Sequence, residues 1–300
     1  MSHALTVGIT TRNRPESLAR ALSSLSLLEA LGPEVLIYDD GSVPAVEPPP
    51  APGLDVRVLR DEAGPGYIVG RNRMMREARS PFVLLLDDDT RLVSADAVHR
   101  ALALMAADPG VAAVAFAQAE ADGTPWPAQM QPANVTTPSV VASFIGFAHL
   151  LRRDVFLSLG GYREAFVFYG EEKEYCVRLL DRGYRTVFVP DALISHLVDP
   201  AGRDRRRYLR FVSRNDSLAS LLNDPLLRAI YVIPARLALY LRMRRRMEIA
   251  DPGGLSWLLG ELWRAGFQLL RRGDRKPVAW RTIRRWRSLR RRPEPYACGS

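Results

Sequence analysis

The sequence predicts an α/β domain, a layered sandwich around a mostly parallel central sheet, followed by a helical, Arg-rich C-terminal extension. Two observations carry this expectation. Through the first two-thirds of the chain, short apolar runs alternate with stretches of helical periodicity, as strands joined by crossover helices do. From residue 203 onward the strand signals stop and the chain turns helical and rich in arginine. A length of 300 residues suits one large domain with an appendage, with the division expected at residues 1–215 and 216–300.

The elements follow in order. Leu5 to Thr10 is a first short strand, and Pro15 to Leu31 a helix with proline at its start and Gly32 at its end. Glu34 to Tyr38 is a second buried strand that stops at Asp39-Asp40-Gly41-Ser42. Pro44 to Pro52 is too proline-dense for helix or central strand and reads as an extended surface loop. Val56 to Leu59 gives a third strand, Gly64-Pro65-Gly66 a turn, and Val69 to Ala78 a helix. Phe82 to Leu86 is a fourth, wholly apolar strand ending in Asp87-Asp88-Asp89. Ala95 to Ala107 reads as helix, Val111 to Ala117 as strand, and 118–140 as a long loop or hairpin region. After the apolar segment Phe144 to Leu151 come a short helix Asp154 to Leu159, closed by Gly160-Gly161, and a helix Glu171 to Arg182 between Gly170 and Gly183. Arg185 to Val189 and Leu193 to His196 are expected as two last strands.

Composition narrows the function classes. With 47% hydrophobic and 25% charged residues, the chain is neither disordered, nor collagen-like, nor a disulfide scaffold. The net charge of +9 is unevenly placed: residues 1–202 hold 18 basic and 25 acidic side chains, and residues 203–300 hold 24 and 8. An acidic first two-thirds argues against a nucleic-acid partner. Cys176 and Cys298 form no disulfide framework and have no metal-ligand spacing, which fits a reducing compartment. No signal peptide is visible, and the apolar stretch Ala229 to Leu241 is interrupted by Pro234 and Arg236, so a cytoplasmic location is expected. Leu255 to Arg272 is amphipathic, with Leu255, Leu258, Leu259, Leu262 and Leu269 on one face, and is expected to cap the larger domain or form a dimer contact. Val278 to Arg292 sets Ile283, Trp286 and Leu289 in a narrow stripe amid seven arginines, a pattern expected to lie on an anionic membrane surface at the cytoplasmic face.

The chemistry-bearing residues sit where apolar strands end. Thr10-Thr11-Arg12-Asn13 follows the first strand, Asp39-Asp40-Gly41-Ser42 the second and Asp87-Asp88-Asp89 the fourth. Open α/β sheets bind ligands in the crevice outside such ends. Three consecutive aspartates repel one another unless a cation neutralises them, and in an extended backbone Asp87 and Asp89 project to the same side, where they can share a hard divalent ion. Glu171, Glu172 and Glu174 crowd a helix start, where mutual repulsion can tune one of them as a general base. Plainer readings stand beside these. Acidic turns cap helices, helix starts favour carboxylates, and His196 at a strand end can pack locally rather than bind a cation.

Together these residues resemble the inverting family-2 glycosyltransferases with the GT-A fold, in order through almost all of residues 5–215. The resemblance rests on Thr10 to Pro15, Asp39 to Ser42, Gly70-Arg71-Asn72, Leu86 to Thr90 with its D-x-D spacing, Gly160 to Glu164, Tyr169 to Arg178, His196 and Arg214-Asn215. It implies that a nucleotide-diphosphate sugar, with UDP or dTDP as nucleotide, is bound by Thr10, Arg12, Asp40, Arg71, Asp87 and Asp88. It also implies that Asp89, with His196, holds Mn²⁺ or Mg²⁺. Glu172 stands where the family has its catalytic aspartate and would be the base, with Glu171 as the neighbouring alternative; Glu174 also replaces an Asp of the pattern. The implied reaction is a single metal-assisted displacement that moves a hexosyl or deoxyhexosyl group to an acceptor hydroxyl, on a glycan or a lipid-linked molecule, in polysaccharide or glycoconjugate synthesis. Acceptor choice is expected to depend on Trp126 to Phe147. Two rival readings are weaker. A nucleotidyltransferase would show a Gly-rich loop with a following lysine, yet residues 1–172 contain no lysine. A non-enzymatic basic adaptor for membrane or nucleic acid leaves the acidic clusters unexplained.

Overall fold

In the computed structural model, which describes residues 3–47, 53–198 and 204–297, the apolar runs of the first half become strands of one sheet. Strands β1 (Leu5–Thr11), β2 (Glu34–Asp39), β3 (Asp55–Arg60) and β4 (Phe82–Asp87) lie parallel in the order β3-β2-β1-β4. Helices α1 (Pro15–Ser24) and α2 (Tyr67–Glu77) make crossovers between them. β1 and β2 are buried along their whole length, as parallel strands covered on both faces must be. The helical run from Pro15 tightens into a 3-10 turn at Leu25–Leu31 and ends at Gly32, whose φ of 52° suits glycine. Residues 48–52 of the Pro-rich loop, and Cys298, lie outside the described residues.

The second half of the sheet is mixed. It contains β5 (Thr90–Leu92), β6 (Val111–Ala119), β7 (Ser139–Val141), β8 (Ala148–Arg152) and β9 (Arg185–His196), with α3 (Ala95–Ala107), α4 (Arg153–Ser158) and α5 (Glu171–Asp181) packed around them. The apolar segment before residue 151 becomes β8, which inserts antiparallel between β4 and β6, while β6 and β9 run parallel. The two strands expected at 185–189 and 193–196 are one. Phe116 pairs with Val189 and Ala117 with Leu193, so Pro190 falls in the irregularity, where no ladder hydrogen bond is asked of it. Helix α3 is capped by the Ser94 hydroxyl, which accepts from the Asp96 amide, so Asp89 is not spent as a helix cap.

Four helices follow: α6 (Arg205–Asn223), α7 (Leu226–Arg246), α8 (Gly254–Arg271) and α9 (Trp280–Arg291), then a two-residue strand β10 (Glu294–Pro295) on β7. The expected boundary at 215/216 falls inside α6. Leu218 and Leu222 of α6 join Ala265 and Leu269 of α8 in one apolar core with residues of the sheet. α7 continues through Pro234 as a single helix, and no described helix is long and apolar enough to cross a membrane.

Helix α9 corrects a second expectation. Its apolar stripe does not face outward: Ile283, Trp286 and Leu289 are all buried in the core beside β7, and the Trp286 Nε1 donates to the Ala142 carbonyl at 3.2 Å. The Asp181 carboxylate at the end of α5 accepts from the Ala279 amide and the Thr282 hydroxyl, which fixes the start of α9. The arginine face of α9 and Trp280 at its start are left to solvent. In α8 the expected apolar face is also redrawn: Leu258, Ala265 and Leu269 point inward, whereas Leu259 is exposed.

Candidate active site

Strand register brings the sequence clusters to one edge of the sheet. Thr10 pairs with Tyr38 on one side and Asp87 on the other, and Thr11 pairs with Asp39, so β1, β2 and β4 end almost level. The loops that leave them carry Thr11 to Asn13, Asp40 to Ser42 and Asp88-Asp89 into the crevice beyond the strand ends. β9 supplies the fourth part. His196 pairs with Thr90 of β5, and the Leu197 amide donates to the Asp89 carbonyl at 2.7 Å, which delivers the imidazole to the aspartates.

Ligand atoms of Asp87, Asp89 and His196 lie within 4.8 Å of one another. The His196 Nε2 stands 3.5 Å from the Asp89 Oδ1, and that buried oxygen has no hydrogen-bond partner. A buried carboxylate oxygen left unsatisfied is costly, and here it faces a carboxylate and an imidazole. Two carboxylates and one imidazole make a donor set that suits Mn²⁺ or Mg²⁺. Burial pushes the Asp87 carboxyl up to about 6 even though Arg71 opposes the shift. Burial also acts on Asp89, but His196 and Arg14 outweigh it and hold that carboxyl below its ordinary value. Asp88 does not join the trio. Its two oxygens accept from the Thr11 hydroxyl at 2.7 Å and Arg14 Nη1 at 3.0 Å, so it ties β4 to the β1 loop.

Asp40, itself buried, and Arg12 come together at the end of β2. Asp40 Oδ1 accepts from the Gly66 amide at 2.8 Å, and the half-exposed Arg12 guanidinium comes within 3.9 Å of its other oxygen. Thr10 is buried at the strand end. Asp39 is structural: it accepts from the Ser42 and Val46 amides and pairs with Arg60, closing the loop. Arg71 departs from the expectation that it lines a diphosphate. It is 2% exposed and donates to Asp87 at 2.7 Å, to Glu171 at 3.0 Å and to the Gly146 carbonyl at 2.7 Å. Burial works against its charge, and the two carboxylates more than offset this, so Arg71 is a permanently charged strut between the aspartate trio and α5.

The three glutamates of α5 divide their work. Glu171 is fully buried, with Tyr67 and Arg71 on its two oxygens, and burial together with the Glu172 charge raises its carboxyl well above the usual range. Glu174 is also buried but grips Arg163, Arg178 and Asn223, and these partners, overcoming the burial, hold it down at about 2. Glu172 is partly exposed and, among the described residues, makes no ion pair or hydrogen bond. Its Oε1 lies over Gly146, where a Cβ would come within 2.1 Å of it. The loop ahead of α5 is pinned by Asn215, whose side-chain amide donates to the carbonyls of Phe166, Phe168 and Tyr169, and Arg214 binds the Ala165 carbonyl.

Gln118 was not signalled by sequence, and Trp126, Gly146 and Phe147 were signalled only as part of a segment expected to choose the acceptor. Gln118 meets the His196 Nδ1 at 2.7 Å, while its own Nε2 donates to the Met130 carbonyl. This arrangement puts the imidazole proton on Nδ1 and leaves the Nε2 lone pair facing Asp89. Trp126 and Phe147 stack on the His196 ring, at 5.5 and 4.8 Å between centroids. Gly146 gives Glu172 its space. The pairing of Gln118 with Ile194 in the β6–β9 ladder, two residues from His196, was visible only once the register was known.

Comparison with known proteins gives a consistent picture. Residues 6–160 match the family model described as glycosyl transferase family 2. A curated relative, the pre-mycofactocin glycosyltransferase of Mycobacterium tuberculosis, is 29% identical over 206 residues, which is 64% of this chain and 42% of that protein. The chain therefore spans well under half the length of the curated relatives it matches. Among solved structures, a Pyrobaculum calidifontis mannosyltransferase in complex with GDP-Man and Mn²⁺ aligns over 96% of this chain and 84% of its own, with a TM-score of 0.56 at 18% identity. S. aureus TarS 1-349 in complex with UDP-GlcNAc aligns over 87% and 81%, with a TM-score of 0.61 at 15% identity. At these identities the likeness shows the fold, which is the GT-A arrangement of a mixed sheet between helices.

Proposed function

This chain belongs to glycosyl transferase family 2, and from that premise we propose that it transfers a hexosyl or deoxyhexosyl group from a nucleotide-diphosphate sugar to an acceptor hydroxyl, with inversion at the anomeric carbon. The observation that carries the reading is the convergence of Asp87, Asp89 and His196 at the carboxyl edge of the sheet, joined through Arg71 to the start of α5, where Glu172 alone among its glutamates has a free carboxylate. Structural relatives bound to GDP-Man or UDP-GlcNAc lend support.

Asp89 and His196, with Asp87 beside them, would hold Mn²⁺ or Mg²⁺, which when bound supplies positive charge to the departing nucleoside diphosphate. Asp40 and Arg12 flank the nucleotide, and Thr10 closes the floor beneath it. Glu172 accepts the proton of the acceptor hydroxyl while that oxygen bonds to the anomeric carbon. The bond from that carbon to the diphosphate oxygen breaks, and its electron pair leaves with the nucleotide. One displacement gives one inversion. Glu171 cannot share this role while Arg71 and Tyr67 occupy its oxygens. Among the described residues, Asp88 and Arg71 act on the protein rather than on the donor.

The test is a panel of UDP-, dTDP- and GDP-sugars with Mn²⁺, followed by nucleoside diphosphate release and the anomeric configuration of the product by NMR. Glu172→Gln is expected to lower kcat by about 10²–10⁴-fold with donor affinity kept. Retention of configuration, or full activity in Glu172→Gln, would overturn the assignment.

A further inference from the structure

Helices α7 and α8 each pack one face against α6 and turn an apolar face outward. On α7 the inward residues Ala229 and Tyr240 lie opposite Leu227, Ile230 and Tyr231, which are exposed, Leu227 by 73%. On α8, Leu258, Ala265 and Leu269 face in, while Leu259, Trp263 and Phe267 face out, Trp263 by 76%. The spacings i, i+3, i+4 and i, i+4, i+8 make each set a stripe along its helix. The outer face of a helix on a water-soluble surface is ordinarily charged, so two helices that pack on α6 and carry apolar outer stripes mark an interaction surface. Tyr240 sits against the start of α8, at Gly254 and Leu258, and both helices pack on α6.

The charge around these stripes identifies the occupant. Arg242, Arg245 and Arg246 close the last turns of α7, and Arg264, Arg271 and Arg272 border the outer stripe of α8. Among the described residues, Arg242, Arg245, Arg246 and Arg272 are exposed and form no salt bridge, and Arg271 lies over the Phe267 ring. Residues 216–300 carry 18 basic and 7 acidic side chains. Trp, Phe, Leu and Ile bounded by exposed arginines, of which Arg264 pairs with Glu261, is the make-up of helices that lie in the plane of an anionic bilayer. A second copy of the chain would bring the same arginines against each other. We propose that the α7–α8 face docks on an anionic lipid surface, with Trp263, Phe267 and Leu227 entering the interface and the α7 arginines meeting lipid phosphates. This inference is independent of the reaction assigned above.

The test uses the full chain and vesicles of phosphatidylcholine alone or with phosphatidylglycerol, read by co-sedimentation and by light scattering without lipid. Wild type is expected to partition at least about tenfold more onto the anionic vesicles, and Trp263→Ser/Phe267→Ser to lose about tenfold or more of that binding. Both positions are exposed, so the fold should survive, and unchanged circular dichroism and melting check this. Arg245→Glu/Arg246→Glu should remove the preference for anionic vesicles and leave residual binding. Equal partition of wild type and the Trp263/Phe267 variant would overturn the proposal. So would a lipid-free dimer that the same variant dissolves while vesicle binding stays absent, since the face would then belong to a second copy.

Discussion

Single side chains decide what the acidic residues do, and neighbours that are not acidic assign the roles. Gly146 is the sharpest case. Any Cβ there meets the Glu172 carboxylate, and Arg71 Nη1 stands 3.2 Å away on the other side. Gly146→Ala is therefore expected to displace Glu172 and cut turnover by roughly tenfold or more while leaving Mn²⁺ affinity unchanged, because a shift of about an ångström costs that much in a positioned base. A kcat and Mn²⁺ titration on the same preparation checks the separation. Gln118 gives the converse prediction. With its acceptor removed in Gln118→Leu, the His196 ring loses the bond that fixes its tautomer, and Mn²⁺ affinity measured by electron paramagnetic resonance should weaken by about 10–100-fold. Equal affinity in this variant would show that the Trp126 and Phe147 stack alone orients the ring. The aspartates and glutamates of this site were legible in the sequence because they occur in clusters at strand ends. Gly146 and Gln118 were not, since a lone glycine in an apolar segment and a lone glutamine in a small-residue strand have no pattern until the register is known.

At the scale of elements, helix α5 shows why a run of like charges can be stable. Its first turn holds Glu171, Glu172 and Glu174, which the helix dipole favours by only a few tenths of a kcal/mol each. The larger stabilisation comes from partners on other elements: Arg71 from α2, Arg163 before α5 and Arg178 one turn on. Glu174 gives the pH consequence. Its carboxyl lies at about 2 in the folded chain, below the ordinary value of roughly 4.3, so its contribution is fully present above the unfolded value and is lost as pH falls through the folded one. Glu174→Gln should cost on the order of 3 kcal/mol near neutrality, and the deficit should shrink toward pH 2 in urea titrations at stepped pH. A deficit constant with pH would mean packing, not charge, is what Glu174 supplies. β1 to β4, β6 and the helices α1 to α5 were legible to within a few residues, apart from the 3-10 end of the first helix, because each is bounded by Gly, Pro or an acidic turn. β8 was read only as an apolar segment. β5, β7 and β10 were not legible, being two or three residues long and defined only by the partner they pair with. β9 was read as two strands because Pro190 interrupts its sequence and only the ladder with β6 shows it continuous.

For the whole molecule, the uneven charge of the chain does not mark a detachable basic tail. Helix α9 carries a row of arginines outward, yet Val278, Ile283, Trp286 and Leu289 complete the core beneath β7, and β10 extends the sheet itself. Periodicity showed that α9 had an apolar stripe. It could not show that a sheet edge more than a hundred residues earlier was waiting for it, so the stripe was matched to a membrane, while Leu227, Trp263 and Phe267, which do face outward, belong to α7 and α8. The consequence is measurable. Trp286→Ala leaves a cavity in the main core and the Ala142 carbonyl without its donor, and should lower the free energy of unfolding by about 3–5 kcal/mol. Ending the chain at residue 277 removes the whole helix, and its effect should reach the sheet: one urea transition, at a lower midpoint, reported equally by far-UV circular dichroism and by the protease resistance of residues 5–160. Vesicle binding through Trp263 and Phe267 should survive in whatever fraction of this truncated protein remains folded, since α7 and α8 are intact. A truncated chain that unfolds at the wild-type midpoint would make α9 an appendage after all.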